Sequence, residues 1–325
     1  MQSVSALKSL FDDFVESQKF RDEPTGLFEP MNYILELGGK RLRPVIALMS
    51  YNIFNDEVEN ALPMAFSLEL FHNFTLAHDD IMDHADLRRG KPTMHTKYSI
   101  NTGILSGDAM MMYAFHYLNL SSKDDQIQRK LNSLFTKTAI EVCVGQQMDM
   151  DFETRDQVEL EKYLLMIKYK TAVLLAGCFQ TGAILGKATD ADAEALYAFG
   201  INLGLAFQIQ DDLLDLYSDD RFGKIRGGDI LQSKKTYLYL TALQQADHAT
   251  REKLLALYKT KSLPDQQKVE QVESIFNQLN VKELAEKAVA EYTDASFVQL
   301  DLLSVERKRL EVIRSLAEEL IQRKY

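Results

Sequence analysis

The sequence predicts an all-α protein, and three observations carry that prediction. Apolar residues recur at three- and four-residue spacing over long stretches, which is the period of an amphipathic helix. Only 6 prolines and 15 glycines interrupt the 325 residues. The pattern contains no strand–helix alternation, no fixed-period repeat and no Ser/Gly/Pro-rich linker. We therefore expect a single helical domain over residues 1–325.

The periodic segments define the expected helices. They cover 3–20, 42–53, 60–86, 101–119, 126–154, 158–186, 190–217, 235–245 and several stretches after residue 250. Two basic segments that contain glycine interrupt the period, at 37–44 (LGGKRLRP) and at 218–235 (SDDRFGKIRGGDILQSKK). Glycine breaks helical periodicity, so both segments are predicted loops.

Composition excludes several classes of protein. A net charge of −11 and a pI of about 5.1 disfavour binding to nucleic acid or to an anionic membrane surface. The most apolar run, 171–185, is too short to span a bilayer, so no transmembrane segment is expected. Residues 1–20 lack a basic region followed by an apolar run, which predicts a cytoplasmic protein. Cys143 and Cys178 lack zinc or disulfide spacing and are expected to be buried, reduced thiols.

Two aspartate clusters, DDIMD at 79–83 and DDLLD at 211–215, are the main functional signal. In each, the first and last aspartates are four residues apart, on one helical face and about 6 Å apart along the axis. Such a pair suits Mg²⁺, which takes few protein ligands and completes its shell with water and substrate phosphate oxygens. The candidate metal ligands are Asp79, Asp83, Asp211 and Asp215.

An acidic helix face turned to solvent is the ordinary interpretation of one such cluster. Two clusters in one chain, both flanked by apolar residues, count against it. The metal interpretation predicts a diphosphate substrate, and basic side chains near the motifs could hold one, although any single one could be a surface cation. These are Lys40, Arg41, Arg43, Arg88, Arg89, Lys168, Lys170, Lys224, Lys234 and Lys235.

The motifs occur in the order GGKRLRP (38–44), HDDIMDHADLRRGKPTMH (78–95), GQQMDMDFE (145–153), KT (170–171), FQIQDDLLD (207–215), and GKIRGGDI followed by KKT (223–236). In this order they resemble the trans-isoprenyl diphosphate synthases over nearly the whole chain. The resemblance implies a single large helical bundle around a deep central cavity, usually in a homodimer. The implied substrates are isopentenyl diphosphate and an allylic diphosphate.

The resemblance also implies a role for individual residues. The isopentenyl diphosphate site corresponds to Lys40, Arg43, His72 and Arg89. The allylic diphosphate site corresponds to Arg88, Lys170, Lys224 and Lys234. The ligands of about two or three Mg²⁺ ions correspond to Asp79, Asp83, Asp211 and Asp215, supported by Asp80, Asp149 and Asp212. Polar groups at the reacting centre correspond to Gln146, Thr171 and Gln208, and the residues expected to act in catalysis are Lys170, Thr171, Gln208, Arg88 and Lys224.

His72 could also be an ordinary core histidine of an apolar helix. Its spacing favours function, because positions 72, 79 and 83 fall on one helical stripe. His78, His84 and His95 have no such spacing and receive no role.

Product length in this family depends on bulky residues below the first aspartate cluster. Phe74 lies five positions before Asp79, where short-chain members tend to carry an aromatic residue, and this predicts a product of about C15 to C20. Phe71 is nearer the Asp79 face and deeper. Further candidates for this floor are Met110, Met111, Met112 and Phe115, although a methionine cluster at helical spacing is more often ordinary core. The first cluster lacks the two extra residues of bacterial farnesyl diphosphate synthases and resembles geranylgeranyl diphosphate synthases more.

Two other functions share part of this pattern. A class I terpene cyclase uses a similar metal-assisted ionisation but needs no second diphosphate, whereas the GGKRLRP loop with Arg88 and Arg89 supplies a second site. A catalytically silent helical subunit would be expected to lack some of the reactive residues, and all of them are present. The sequence thus favours a prenyl-transferring enzyme.

Overall fold

The computed structural model describes residues 1–155, 157–218, 226–260 and 262–322, and this part of the chain is almost entirely helical. The helices are α1 (Val4–Ser17), α2 (Thr25–Glu36), α3 (Leu42–Phe54), α4 (Leu62–Met82), α5 (Met94–Lys97), α6 (Ile100–Asn119), α7 (Asp125–Thr154), α8 (Leu160–Ile167), α9 (Val173–Leu185), α10 (Asp190–Tyr217), α11 (Gly228–Leu231), α12 (Tyr237–Gln245), α13 (His248–Lys259), α14 (Asp265–Gln278), α15 (Val281–Asp301) and α16 (Glu311–Ile321). Strands β1 (Leu87–Arg88) and β2 (Lys91–Pro92) form an antiparallel hairpin. The all-α prediction is confirmed.

Most predicted helices agree with the structure within a few residues. The short helices α5 and α11 were not predicted, and α11 lies inside the segment 218–235 that was expected to be a loop. Three larger differences concern α2, the β1–β2 hairpin and the segment 158–186. Helix α2 was not predicted; it follows Pro24 and contains Pro30, and proline usually marks an interruption. The β1–β2 hairpin is too short to show an alternating pattern. The helix expected over 158–186 is divided into α8, a π-helical segment (Lys168–Ala172) and α9. A π segment leaves the apolar pattern nearly unchanged, so periodicity could not find it.

The chain forms two compact units, each with its own apolar core. The first comprises Met1–Thr136, Gly177–Glu194 and Ser304–Ile313. The second comprises Lys137–Ala176 and the described parts of Ala195–Leu303 and 314–322. The expectation of one domain over the whole chain stays a prediction.

Polar contacts, most of them partly buried, attach the late segment Ser304–Ile313 to the rest of the first unit. Asp192 is buried and accepts hydrogen bonds from Ser304 N at 2.8 Å, Ser304 Oγ at 2.6 Å and Thr189 Oγ1 at 2.8 Å. Arg309 donates to the carbonyl oxygens of residues 52 and 53 and to Asp56 at 2.5–2.7 Å. Carboxylate and guanidinium groups make strong hydrogen bonds when partly buried, so these contacts hold the segment in place.

Cys143 is exposed, and the expectation that both thiols are buried is wrong for this residue; Cys178 is buried as expected. The apolar stretch around Cys143 misled the prediction, because Ile140 and Val144 on the same face of α7 are exposed too. An apolar helix stripe usually faces a core, and this one faces outward in the single chain. Among the described helices, none combines the length and the hydropathy that crossing a membrane requires.

The packing of α9 on α3 gives a test of the first unit. A Cβ at Gly182 would lie 2.2 Å from the Ala47 carbonyl oxygen, whereas a Cβ at Gly26 of α2 would meet no atom within 4 Å. We expect Gly182→Ala to lower the free energy of unfolding by about 1–3 kcal/mol, because backbone would have to move. Gly26→Ala is the control and should leave it unchanged or raise it by up to about 1 kcal/mol. Urea unfolding measures both, and equal stability of the two variants would contradict the close approach.

Candidate active site

The three carboxylates of the first aspartate cluster, at the end of α4, lie in different environments. Asp80 is only 3% exposed, and Arg88 Nε and Nη2 donate to its two oxygens at 2.7–2.9 Å. Asp79 is partly exposed, with Oδ2 3.8 Å from Arg88 Nη2, and Asp83 is exposed at the C-cap. Burial alone would lower the pKa of Arg88, but these three aspartates outweigh it and raise the pKa. The outer pair is therefore more accessible to a cation than Asp80.

The β1–β2 hairpin presents Arg88 and Arg89 directly after this cluster. Its two-residue turn, Arg89 and Gly90, has positive φ angles of 54° and 74°, as in a type I′ turn. The Arg89 guanidinium lies against Gly39, where an added Cβ would come within 2.7 Å of the guanidinium carbon. A side chain at position 39 would therefore displace Arg89 from the glycine-containing segment 37–44, the first glycine loop.

Arg43 and His72 are in direct contact. Arg43 Nη1 lies 3.0 Å from His72 Nε2, and because a guanidinium only donates, Nε2 accepts and the ring proton is on Nδ1. Burial lowers the pKa of His72 well below its usual value, and the charges of Arg43, Arg89, Arg88 and Arg41 lower it further, so the ring is neutral. Arg43 Nε is buried and has no hydrogen-bond partner in the described part of the chain. An unused buried donor beside a neutral ring suits an anionic ligand.

The residues predicted for isopentenyl diphosphate thus gather in the first unit. Arg43 contacts His72, Arg89 packs on Gly39, and Lys40 follows Gly39 and is exposed. His78, which received no role, packs against Gly107 of α6 and lies 3.2 Å from the Ile104 carbonyl oxygen, which makes it a link between α4 and α6.

The second aspartate cluster, at the end of α10, also buries its middle member. Asp212 Oδ2 accepts from Tyr163 Oη at 2.5 Å and from the Tyr237 backbone N–H at 2.9 Å. Burial raises the pKa of Asp212 to about 7, against the opposing effect of hydrogen bonds from Tyr163, Tyr237 and Gln208. Asp211 is exposed, and Asp215 accepts from the backbone N–H of residue 229 at 3.0 Å. Both hydrogen-bond donors to Asp212 therefore come from neighbouring helices, Tyr163 from α8 and Tyr237 from α12.

Lys170 lies in the π-helical segment and pairs with Asp149 of α7 at 2.5 Å. Gly145 allows α7 to approach this segment, since a Cβ there would lie 2.2 Å from Lys170 N. π-Helical turns are frequent at functional sites because they re-aim side chains. Lys170 and Asp149 were both predicted to act at the site, and the structure joins them in the second unit.

The predicted polar groups of the reacting centre also lie in the second unit. Thr171 Oγ1 donates to Gln208 Oε1 at 3.3 Å, and Gln208 in turn helps to lower the pKa of Asp212. Gln146 Nε2 is buried and has no hydrogen-bond partner within the described ranges. A second buried donor is thus available for a ligand.

The lysines after the second cluster have different positions. Lys224 lies outside the described residues. Lys234 is mostly exposed and 3.9 Å from Asp229 Oδ1. Lys235 Nζ donates to the Phe152 carbonyl oxygen at 2.6 Å, near the C-terminal end of α7, where a cation is favourable. Lys235 therefore caps the C-terminal end of α7.

The predicted floor residues belong to an aromatic cluster of the first unit. The rings of Phe71 and Phe74 are 5.8 Å apart, and Phe71 also packs on Phe135 of α7 at 5.2 Å. Phe135 packs in turn on Phe115 at 4.7 Å. Phe74 is less buried than Phe71, which leaves it more accessible to a bound chain. Phe135 was missed because only its apolar helical spacing, and not its neighbours, is visible in the sequence.

The methionines of α6 do not form one floor. Met110 is fully buried and Met111 partly so, but Met112 is 61% exposed. Consecutive residues of a helix point about 100° apart, so three adjacent methionines cannot share a face. The inclusion of Met112 is therefore wrong.

The carboxylates of the two aspartate clusters suit a magnesium ion. In the described part of the chain, no three His, Cys, Asp or Glu side chains come together as a preformed site. Mg²⁺ does not need one, since it binds through one or two carboxylates plus water and substrate phosphates. Two accessible carboxylates in each cluster fit Mg²⁺ better than Zn²⁺, which favours nitrogen and sulfur ligands in a closed shell.

Comparisons with known proteins agree with one another. The polyprenyl synthetase family model matches residues 24–279, a range that contains every residue predicted for the site. The chain is 38% identical over 259 residues to a short chain isoprenyl diphosphate synthase of Methanocaldococcus jannaschii, covering 79% of each chain. It is 35% identical over 335 residues to the geranylgeranyl diphosphate synthase of Saccharolobus solfataricus, covering 99% of each. A crystal structure of a geranylgeranyl pyrophosphate synthase is 41% identical, with a TM-score of 0.94 over 100% of both chains.

The Asp212 contacts give a stability test of the second unit. Tyr163→Phe removes one donor from a buried carboxylate, and we expect the free energy of unfolding to fall by about 1–3 kcal/mol. Tyr239→Phe is the control, because it keeps a buried ring stacked on Tyr258 at 3.9 Å. Urea unfolding at pH 8 compares them. A loss for Tyr163→Phe no larger than that of the control would contradict the structural role of this hydrogen bond.

Proposed function

The chain belongs to the polyprenyl synthetase family, and on that premise we propose that it condenses isopentenyl diphosphate with a C5, C10 or C15 allylic diphosphate. The products are a short-chain trans-prenyl diphosphate and diphosphate. The observation that carries this proposal is that the arginines of the first unit make two different kinds of contact. Arg88 is held by the aspartate cluster, whereas Arg43 and Arg89 lie with His72 and the glycine loop.

The alternatives fit less well. A class I terpene cyclase binds one diphosphate and gives no reason for a buried Arg43 Nε without a partner among the described residues. A catalytically silent subunit would not need the complete set of reactive residues that this chain carries. The relatives that match over most of the chain carry the names of diphosphate synthases, which supports a prenyl transferase.

The two aspartate clusters are the proposed metal sites. Asp79 and Asp83, and Asp211 and Asp215, bind about two or three Mg²⁺ ions. Bound Mg²⁺ would supply positive charge to the diphosphate oxygens, where negative charge grows in the transition state. The allylic diphosphate is held by Arg88, Lys170, Lys224 and Lys234, and isopentenyl diphosphate by Lys40, Arg43, His72 and Arg89.

The chemistry then requires little from protein acids and bases. The allylic C–O bond breaks, its electron pair leaves with diphosphate, and an allylic carbocation remains. The double bond of isopentenyl diphosphate attacks this cation, and loss of one proton restores a double bond. Neutral His72 and the Thr171–Gln208 pair are hydrogen-bonding groups that orient substrates, and the departing diphosphate is the proposed proton acceptor. Orientation and exclusion of water are the main contributions of the protein.

Product length is proposed to be about C15 to C20, with the aromatic cluster as the floor. Two rings of this cluster, Phe71 and Phe74, lie on α4, and Phe74 is the more exposed of the two. The buried Phe71 packs against Phe74 and against Phe135 behind it. Relatives named as geranylgeranyl diphosphate synthases favour the upper end of this range.

We also propose a cytoplasmic homodimer. The outward apolar face of α7, with Ile140, Cys143 and Val144, supports an interface with a second copy, because apolar helix faces are usually covered.

The purified protein should elongate at least one of the C5, C10 and C15 allylic diphosphates when Mg²⁺ and isopentenyl diphosphate are present. Asp79→Ala and Asp211→Ala should each lower kcat by about 100-fold or more, because each removes a Mg²⁺ ligand. Products are dephosphorylated and sized by mass spectrometry.

Asp13→Ala, at an exposed position of α1, is the control and should keep full activity. No elongation with any primer would refute the proposed function. Near-normal activity of either aspartate variant would refute the metal role of that residue alone.

Phe74→Ala should shift the product distribution to longer chains by at least one C5 unit, because it opens space in the aromatic cluster. Phe28→Ala is a matched control, since it removes an aromatic ring from a different cluster of the first unit, with Phe20. Mass spectrometry of the alcohols gives the readout. An unchanged distribution would remove Phe74 as the floor.

A further inference from the structure

Arg41 lies in the first glycine loop, but its side chain turns into the core. Its backbone is left-handed (φ 49°, ψ 33°), which is uncommon for a residue with a Cβ, and it is only 9% exposed. Its guanidinium donates to Glu69 Oε1 at 2.5 Å, to the Leu35 carbonyl oxygen at 2.6 Å and to Asp12 Oδ1 at 3.4 Å. All three acceptors belong to the first unit, so Arg41 faces away from solvent and makes protein contacts.

Glu69 is itself fixed in place. It is 5% exposed, and Asn73 Nδ2 donates to its Oε1 at 3.1 Å and to its backbone oxygen at 2.7 Å. Glu69 lies three residues before His72 on α4, and Arg41 lies two residues before Arg43. The pairs Arg41–Glu69 and Arg43–His72 are therefore two neighbouring links between the start of α3 and the same helix.

Stability alone is a weak reason for the Arg41–Glu69 pair. Removing two charges from water costs about as much as their attraction returns, and a buried ion pair can often be replaced by apolar residues without loss. A strained left-handed backbone, in contrast, persists only where its surroundings enforce it. The three bonds of Arg41 act on the backbone at position 41, directly between two residues assigned to a substrate.

We propose that Arg41 is a positioning residue, whose ion pair with Glu69 fixes the left-handed backbone and so sets Lys40 and Arg43 for isopentenyl diphosphate. This inference rests on the proposed function. The inference goes beyond the proposed function because it gives a role to Arg41, a residue that contacts Glu69 and is not assigned to either substrate. Its loss should therefore affect the binding of one substrate and leave the other nearly unchanged.

The double variant Arg41→Met, Glu69→Met tests this, because it removes both charges and leaves neither unpaired. We expect its midpoint of urea unfolding to stay near that of the wild type. The KM for isopentenyl diphosphate should rise about tenfold or more, whereas the KM for the allylic diphosphate and kcat should change less than about threefold. Calorimetric titration with isopentenyl diphosphate should show the same loss of affinity.

Arg309→Met is the matched control. Arg309 also donates to two carbonyl oxygens and one carboxylate in the first unit, but none of these residues belongs to the proposed site. We expect it to lower stability without changing either KM.

Arg41→Lys is a second variant, which keeps a charge for Glu69 but cannot reach all three acceptors from one ammonium. We expect it to raise the KM for isopentenyl diphosphate by a few-fold, and it decides the matter if the double variant does not fold. An unchanged KM for isopentenyl diphosphate in a folded variant, or an equal rise in both KM values, would overturn the proposal. A wild-type protein that elongates no primer would instead refute the proposed function.

Discussion

A carboxylate inside an apolar helical core must have partners, and both acidic helices depend on meeting this requirement. Asp80 is satisfied by the guanidinium of Arg88, and Asp212 by the hydroxyl of Tyr163 and a backbone N–H at the start of α12. These anchors fix how each helix is rotated. The aspartates on either side of each anchor are more accessible than the anchor itself. Each motif therefore has one buried carboxylate and two that are more accessible.

Two titratable side chains, His72 of the first unit and Asp212 of the second, have different electrostatic surroundings. Around His72 the neighbouring charges are arginines, and together with burial they keep the ring neutral. Around Asp212 the nearest donor is the neutral Tyr163, and burial raises the pKa of the carboxyl to about 7. The arginines around His72 therefore suit an anionic ligand at that position, whereas burial around Asp212 favours the protonated carboxyl.

The sequence predicted the helices and the residue types of the site well, because both depend on local spacing. Helix α10 and the Asp79–Asp83 pair follow directly from apolar period and four-residue offset. Features that depend on distant contacts were missed. Nothing local indicates that Arg41 turns to Glu69, or that Phe135 meets Phe71, since such pairs form only after folding. The outward face of α7 was misjudged for the same reason.

The different exposure of the two cysteines has a practical consequence. Burial raises the pKa of the Cys178 thiol to about 12, so it stays protonated and unreactive, whereas Cys143 is exposed on α7 of the single chain. The reactivity of Cys143 therefore depends on whether a second copy covers this face of α7, which we propose as the homodimer interface. A fluorophore or spin label attached to Cys143 would lie between Ile140 and Val144. Its spectrum would report whether this face of α7 is exposed to solvent or covered by a second copy.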